Sequence, residues 1–186
     1  MRQVQLAILD SLLRIKPSAQ TVLDVGCGDG EFTQVIARYL NGTRIIGIDP
    51  LVAETSDTHT GTPKASPRVQ LIKGTVEHMP FADESFDAVI ASQSMHHWMN
   101  VQAGIKEVYR VLCAGGQLII GDPLLKGWLG NRLLGWLTQK LDGGTFADPS
   151  ELVSVLRAVG FIDIEINLVP KSMQALFLIN AKKPAV

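Results

Sequence analysis

The chain has 186 residues, with 17 Lys+Arg against 18 Asp+Glu and a formal net charge of −1. Apolar residues make up 46% of it and mean hydropathy is +0.19, yet no run reaches the ~18 uninterrupted apolar residues of a membrane span, which excludes an integral membrane protein. The charges are dispersed, with no basic block, and that excludes the electrostatic footprint of a nucleic-acid binder.

A single domain of this size buries roughly 70% of the surface its unfolded chain exposes, enough for a full core without metals or disulfides. Cys27 and Cys113 fit neither a disulfide framework nor a metal spacing, so reduced thiols and a cytoplasmic location are expected. Val4, Ile8, Leu12 and Ile15 recur at helical spacing and predict an amphipathic helix over 2–16, closed by Pro17. Asp10, Arg14 and Lys16 break the same stretch as a signal-peptide core.

Short apolar runs then alternate with helical patterns. Thr21–Val25 predicts a strand, followed by a glycine loop and a helix carrying Phe32, Val35, Ile36, Tyr39 and Leu40. Arg44–Asp49 predicts the second strand, Val69–Lys73 the third and Phe86–Ser92 the fourth. Residues 51–68 should hold a crossover helix but are rich in Thr and Pro, which predicts a mobile loop with one helical turn near Leu51–Glu54. Val101, Ile105, Val108 and Leu112 line one stripe of a helix ended by Gly115-Gly116, and Gln117–Asp122 follows as the fifth strand. Asp148-Pro149-Ser150-Glu151 is a helix start, with Leu152, Val155, Leu156 and Val159 as the buried face and Gly160 as the stop. Phe161–Leu168 and Gln174–Asn180 close the chain as two strands joined by a turn at Pro170-Lys171.

Strand–helix alternation predicts an α/β fold: a seven-stranded, doubly wound Rossmann-like sheet, mostly parallel with an antiparallel last strand, and helices on both faces. One domain spans 1–186. One apolar stretch, 123–141 within a lid-like 123–147, breaks the pattern. It holds Trp128 and Trp136, with Lys126, Arg132 and Lys140 interspersed, and three glycines that argue against one rigid helix. A substrate lid, a dimer surface and a membrane-surface helix all fit it, as does plain packing on the sheet.

The chemistry starts at Asp24-Val25-Gly26-Cys27-Gly28-Asp29-Gly30, where the first strand turns into a helix. Glycines there let backbone approach a ligand closely. A dinucleotide fingerprint would need its third glycine where Glu31 stands, so the spacing argues against a nicotinamide oxidoreductase. Asp49 ends the second strand, where an acid can accept hydrogen bonds from ribose hydroxyls, although a strand-end Asp before Pro50 can equally cap a turn.

Over about residues 20–180 the sequence resembles the class I S-adenosylmethionine-dependent methyltransferases, in particular the type 11 group. Leu23-Asp24-Val25-Gly26-Cys27-Gly28-Asp29-Gly30 resembles their first motif. Gly74-Thr75-Val76-Glu77-His78-Met79-Pro80-Phe81 and Asp83-Glu84-Ser85-Phe86-Asp87 resemble a second pair of motifs, and Glu107-Val108-Tyr109-Arg110-Val111-Leu112 with Gly115-Gly116 resembles a third. The resemblance implies S-adenosyl-L-methionine as cofactor and S-adenosyl-L-homocysteine as product. It places Gly26, Cys27, Gly28, Asp29 and Gly30 beside the methionine portion and Asp24 near its ammonium. Asp49 and Pro50 would lie at the ribose, Thr75, Val76 and Glu77 at the adenine, and Ser92 and Gln93 on the methionine side. Two departures stand out. Thr75 replaces the acid that commonly meets the adenine amino group, leaving that contact to a backbone carbonyl or Glu77, and Cys113-Ala114 replaces Lys-Pro.

Methyl transfer from a sulfonium needs alignment, a dry site and a deprotonated acceptor. His96 and His97, after the fourth strand, are candidate bases, against the plainer reading that one of them packs or caps. Asp122 is a second candidate, although Pro123 favours a turn role. Ala91-Ser92-Gln93-Ser94 differs from the Asn/Asp-Pro-Pro-Tyr run of base-amine methyltransferases, which argues against nucleic-acid substrates. Glu107 and Arg110 read as a structural pair and Cys27 as a small buried packing residue. The expected activity is methyl transfer to a small apolar or aromatic acceptor at O, C or N. The alternative is a non-catalytic, cofactor-binding partner subunit.

Overall fold

Strands of Val, Ile, Leu and Ala that are buried on both faces cannot alternate polar and apolar, and such runs make the centre of this molecule. The computed structural model describes residues 2–15, 19–53, 66–123, 149–169 and 176–185. The elements in chain order are α1 (Gln3–Ile15), β1 (Thr21–Val25), α2 (Glu31–Tyr39), β2 (Arg44–Asp49), β3 (Val69–Lys73), β4 (Phe86–Ser92), a 3-10 turn (Met95–His97), α3 (Val101–Val111), β5 (Leu112–Pro123), α4 (Pro149–Val159), β6 (Ile162–Leu168) and β7 (Leu176–Lys182). The expected stop at Pro17, the loop over 54–65, the apolar stretch from 124 onward, the Asp148 cap and the Pro170-Lys171 turn lie outside the described residues.

One seven-stranded sheet runs in the order β3-β2-β1-β4-β5-β7-β6. β3, β2, β1, β4 and β5 are parallel, and β7 is antiparallel to both β5 and β6. Strand order reverses between β1 and β4, so a crevice opens beyond their C-terminal ends, where doubly wound sheets bind ligands. One face packs α1 and α2, with Val22, Ile45, Ala88, Ile90 and Ile119 beneath Val4, Ile8, Leu12 and Ile36. The other packs α3 and α4, with Leu23, Ile46, Val89, Leu118 and Ile120 beneath Ile105, Val108, Leu152 and Leu156.

α1 has 13 residues, a length marginal for an isolated helix, and it holds because Val4, Ile8 and Leu12 are fully buried. Burial of each such side chain contributes about 1.5–3 kcal/mol. Gly121 of β5 makes this possible: a Cβ there would collide with Val4 and meet Ile8 Cδ1 at 3.0 Å. At the far end of α2, the Arg68 guanidinium donates to the carbonyls of Ala37, Leu40 and Thr43, covering acceptors that the helix terminus leaves open.

Several boundaries differ from the sequence expectation, among them β5, which starts at Leu112, and β7, which ends at Lys182. α3 ends at Val111, and Leu112, expected on its stripe, already pairs with Phe86 as the first residue of β5. The register slips between Phe86 and Ala88, so Cys113–Gly116 bulge out and Gly115 adopts φ 77°. The glycines therefore serve an irregular strand start and not a helix cap. Tyr39, expected in the buried stripe of α2, is 53% exposed because the helix ends there and the chain turns to bury Leu40. β6 is an exposed edge strand, with Asp163, Glu165 and Asn167 alternating with Ile162 and Ile166.

Candidate active site

The β1–α2 loop is shaped by its glycines and held by β2. Gly26, Gly28 and Gly30 have φ of 71°, 57° and 79°, the left-handed region that glycine enters without strain. Gly26 is further constrained because any Cβ would strike Ser94, whose hydroxyl donates to the Val25 carbonyl at 2.7 Å. Gly26 and Cys27 N–H donate to the Ile48 carbonyl, Gly28 N–H to Asp49 Oδ2 (2.9 Å), Gly30 N–H to the Cys27 carbonyl and Glu31 N–H to Asp29 Oδ1. These donors are spent within the protein. The loop thus offers a ligand close approach rather than the nest of free N–H groups a pyrophosphate requires.

Beside this loop is a cavity of about 510 Å³, lined by Asp24, Gly26, Cys27, Gly28, Asp29 and Ser92, by Glu31, Phe32 and Val35 of α2, and by Arg2 and Gln5 from the start of α1. Asp24 is 1% exposed; its Oδ2 accepts from Thr33 Oγ1 at 2.7 Å, whereas its Oδ1 has no partner among the described residues. The buried hydroxyl of Ser92 is likewise unpartnered. Burial pushes the Asp24 carboxyl up to about 6. A buried carboxylate with one oxygen unanswered calls for a cation, and the α-ammonium of an amino acid is one that fits.

The other expected residues fall into two groups. Asp49 Oδ2 and Oδ1 accept from Gly28 and Leu51 N–H, so it caps the turn and clamps the loop, and its remaining lone pairs are what a ribose could use. Pro50 begins that turn. Thr75 is exposed and bridges to His78, while the Val76 side chain is in the core. Glu77 Oε1 accepts from Asn100 N–H at the start of α3. The structure does not bring Thr75, Val76, Glu77, Asp49 or Gln93 into the wall of the cavity. Cys27, expected buried, is half-buried with Sγ against Gly47, and burial together with the charges of Asp24 and Asp49 pushes its thiol up, so it stays neutral.

The two histidines separate. His97 is exposed, its ring 4.0 Å from that of His96. His96 Nδ1 lies 2.6 Å from Oδ1 of the buried Asp122, whose Oδ2 also accepts the His96 N–H at 3.3 Å. An ionised Asp122 makes Nδ1 the donor and so places the ring's lone pair on Nε2. Asp122 follows Gly121, the register partner of the cavity residue Ser92, and His96 lies in the turn after β4, so the pair stands at the C-terminal ends of β4 and β5 but is not among the residues lining the cavity.

Other motif residues support the fold. Asp87 Oδ2 accepts from Gln20 and Thr21 at the opposite sheet edge. Arg110 donates to Glu107, to Asp83 Oδ1 and to the carbonyls of Phe81 and Met79, while Glu107 Oε2 accepts the Met79 N–H. The expected Glu107–Arg110 pair is therefore a brace between α3 and the loop at 79–83.

The sequence profile of the methyltransferase domain, type 11, matches residues 23–120, more than half of the chain. The chain belongs to this family. As a type 11 methyltransferase it is a class I S-adenosylmethionine-dependent enzyme, and S-adenosylmethionine is its cofactor. A demethylmenaquinone methyltransferase of Roseiflexus castenholzii is 26% identical over 182 residues, covering 84% of this chain and 74% of that one. Among solved structures, the YcgJ protein of Bacillus subtilis has a TM-score of 0.80 at 17% identity, covering 98% and 99% of the two chains. A phosphoethanolamine N-methyltransferase of Haemonchus contortus in complex with S-adenosyl-L-methionine gives 0.77 at 19%, covering 97% of this chain and 52% of that one. At these identities both structural likenesses are likenesses of fold. Unpartnered Asp24 Oδ1 and the close-approach loop fit such a cofactor.

Arg2, Gln5 and Thr33 went unread in the sequence. Nothing in an amphipathic stripe says which end of α1 reaches a ligand, and Thr33 looks like any polar residue in a helix.

Proposed function

We propose that this methyltransferase acts on a small, apolar or aromatic acceptor bearing an ionisable hydroxyl, with His96 as general base and Asp122 as the residue that positions it. The observation that carries this reading is the 2.6 Å His96–Asp122 bond at the C-terminal ends of β4 and β5. The bound cofactor supplies an electrophilic methyl group, so the protein's own task is to align the acceptor, exclude water and remove one proton. His96 Nε2 takes the hydroxyl proton, and buried Asp122 fixes the tautomer and stabilises the imidazolium that results. A hydroxyaryl acceptor fits best, because its anion is accessible near neutral pH and delocalises onto ring carbon. The Roseiflexus relative named for demethylmenaquinone and the apolar sequence of 123–141 support an acceptor of that class.

The test is turnover of labelled S-adenosylmethionine against reduced naphthoquinols, simple phenols, aliphatic amines and carboxylic acids. Methylation of reduced hydroxyaryl compounds is expected, with kcat falling by about 10²–10⁴ in His96→Ala. Asp122→Asn should lower kcat while the affinity for S-adenosylhomocysteine holds, a split that general loss of folding would not give. Turnover confined to amines, or an undiminished His96→Ala enzyme, would overturn the assignment. No methylation of any acceptor would favour the alternative of a non-catalytic subunit.

A further inference from the structure

The start of α1 forms part of the cavity wall, and its charge is opposite to that of the rest. Asp24, Asp29 and Glu31 all line the cavity, and among the described residues around it Arg2 is the sole base. Arg2 Nη1 donates to Gln93 Oε1 at 2.8 Å, so the guanidinium is held beside the residue that follows Ser92. Its position is also fixed from behind: Arg2 N–H donates to Gln5 Oε1 at 2.9 Å, and Val4 is buried against Gly121.

From these placements we infer that Arg2 is the specificity determinant for the α-carboxylate of the cofactor, with Asp24 Oδ1 taking the ammonium of the same amino-acid group. The inference rests on the assignment of S-adenosylmethionine as cofactor. An amino acid is a zwitterion and needs both signs within one site. A wall of three carboxylates alone would attract the ammonium and sulfonium but repel the carboxylate. Arg2 corrects that imbalance. The single bond to Gln93 leaves four of the five guanidinium N–H donors to meet a carboxylate, and a planar fork suits two parallel bonds where an ammonium would not. The consequence is selectivity: the site should prefer the intact cofactor to its decarboxylated analogue, which carries the same adenosine and sulfonium.

Calorimetry with three ligands tests this on the full chain: S-adenosylhomocysteine, which carries the amino-acid group, 5′-methylthioadenosine, which lacks it, and decarboxylated S-adenosylmethionine. Arg2→Ala should weaken S-adenosylhomocysteine by about ten- to a hundredfold, the range of a charge-assisted hydrogen bond. The other two ligands should bind the variant and the wild type alike. Arg2→Lys, which keeps the charge and loses the fork, should fall between. Equal losses for all three ligands would mean that Arg2 merely braces Gln93 and α1, and unchanged S-adenosylhomocysteine affinity would place Arg2 outside the site. Either result overturns the inference while leaving the cofactor assignment intact. Wild-type protein that binds none of the three would instead overturn the cofactor assignment, and this inference with it.

Discussion

Asp24 carries a cost in the ligand-free protein that its ligand removes. Its carboxyl is buried, only Thr33 answers it among the described residues, and burial lifts it from an ordinary 3.8 to about 6. A shift of that size corresponds to about 3 kcal/mol between protonation states, so the ionised form present near neutral pH is destabilising until a cation arrives. Asp24→Asn should therefore raise the melting temperature of the ligand-free protein at pH 7.5, by an amount corresponding to about 1–3 kcal/mol. The same substitution should weaken S-adenosylhomocysteine at least tenfold, since the ammonium loses its counter-charge. Thermal melts with and without S-adenosylhomocysteine measure both effects. A variant that is less stable and binds normally would show that Asp24 serves packing and not the ligand.

At the scale of elements, α1 is the piece whose role the sequence concealed. Its stripe of Val4, Ile8 and Leu12 was legible, because helical periodicity survives any docking partner. What it docks against was not legible, since the match between a helix and a bare patch of β5 at Gly121 exists only in three dimensions. Gly121→Ala should push α1 outward, destabilising the protein by about 1–3 kcal/mol and lowering S-adenosylhomocysteine affinity through displaced Arg2. Thermal denaturation and calorimetry on this variant check the coupling, and normal stability would mean that α1 tolerates the shift. The strands β1 to β4 were read at their observed bounds, because β-branched runs between turn residues leave few alternatives. The α3–β5 junction was misread for the opposite reason. Leu112 is fully buried and fits a helix stripe as well as a strand, and a bulge leaves no periodicity to find. In the site, the glycine loop and Asp24 carried a local signal, whereas the His96–Asp122 pair required knowing that β4 and β5 are neighbours.

For the whole molecule, two carboxyls on opposite faces of the sheet set opposing slopes of stability against pH. Glu107 is held below the usual carboxylate range, first of all by its hydrogen bonds to Arg110. Its folded form binds fewer protons than its unfolded form, so its contribution is present above the ordinary glutamate value and is lost as pH falls through the depressed one. Asp24 does the reverse. Its folded form holds the extra proton, so stability is highest below the ordinary aspartate value and falls as pH rises through about 6. The ligand-free protein should therefore lose stability from these two groups on both sides of mildly acidic pH. Cofactor cancels only the alkaline-side loss, because an ammonium at Asp24 favours the carboxylate and releases its proton on binding. The gain in melting temperature on adding saturating S-adenosylhomocysteine should consequently grow between pH 5 and pH 7.5 and level off beyond. In Asp24→Asn the same gain should be small and flat with pH. A wild-type gain that does not change between pH 5 and pH 7.5 would sink the coupling between Asp24 and the ligand, whatever the affinity itself proves to be.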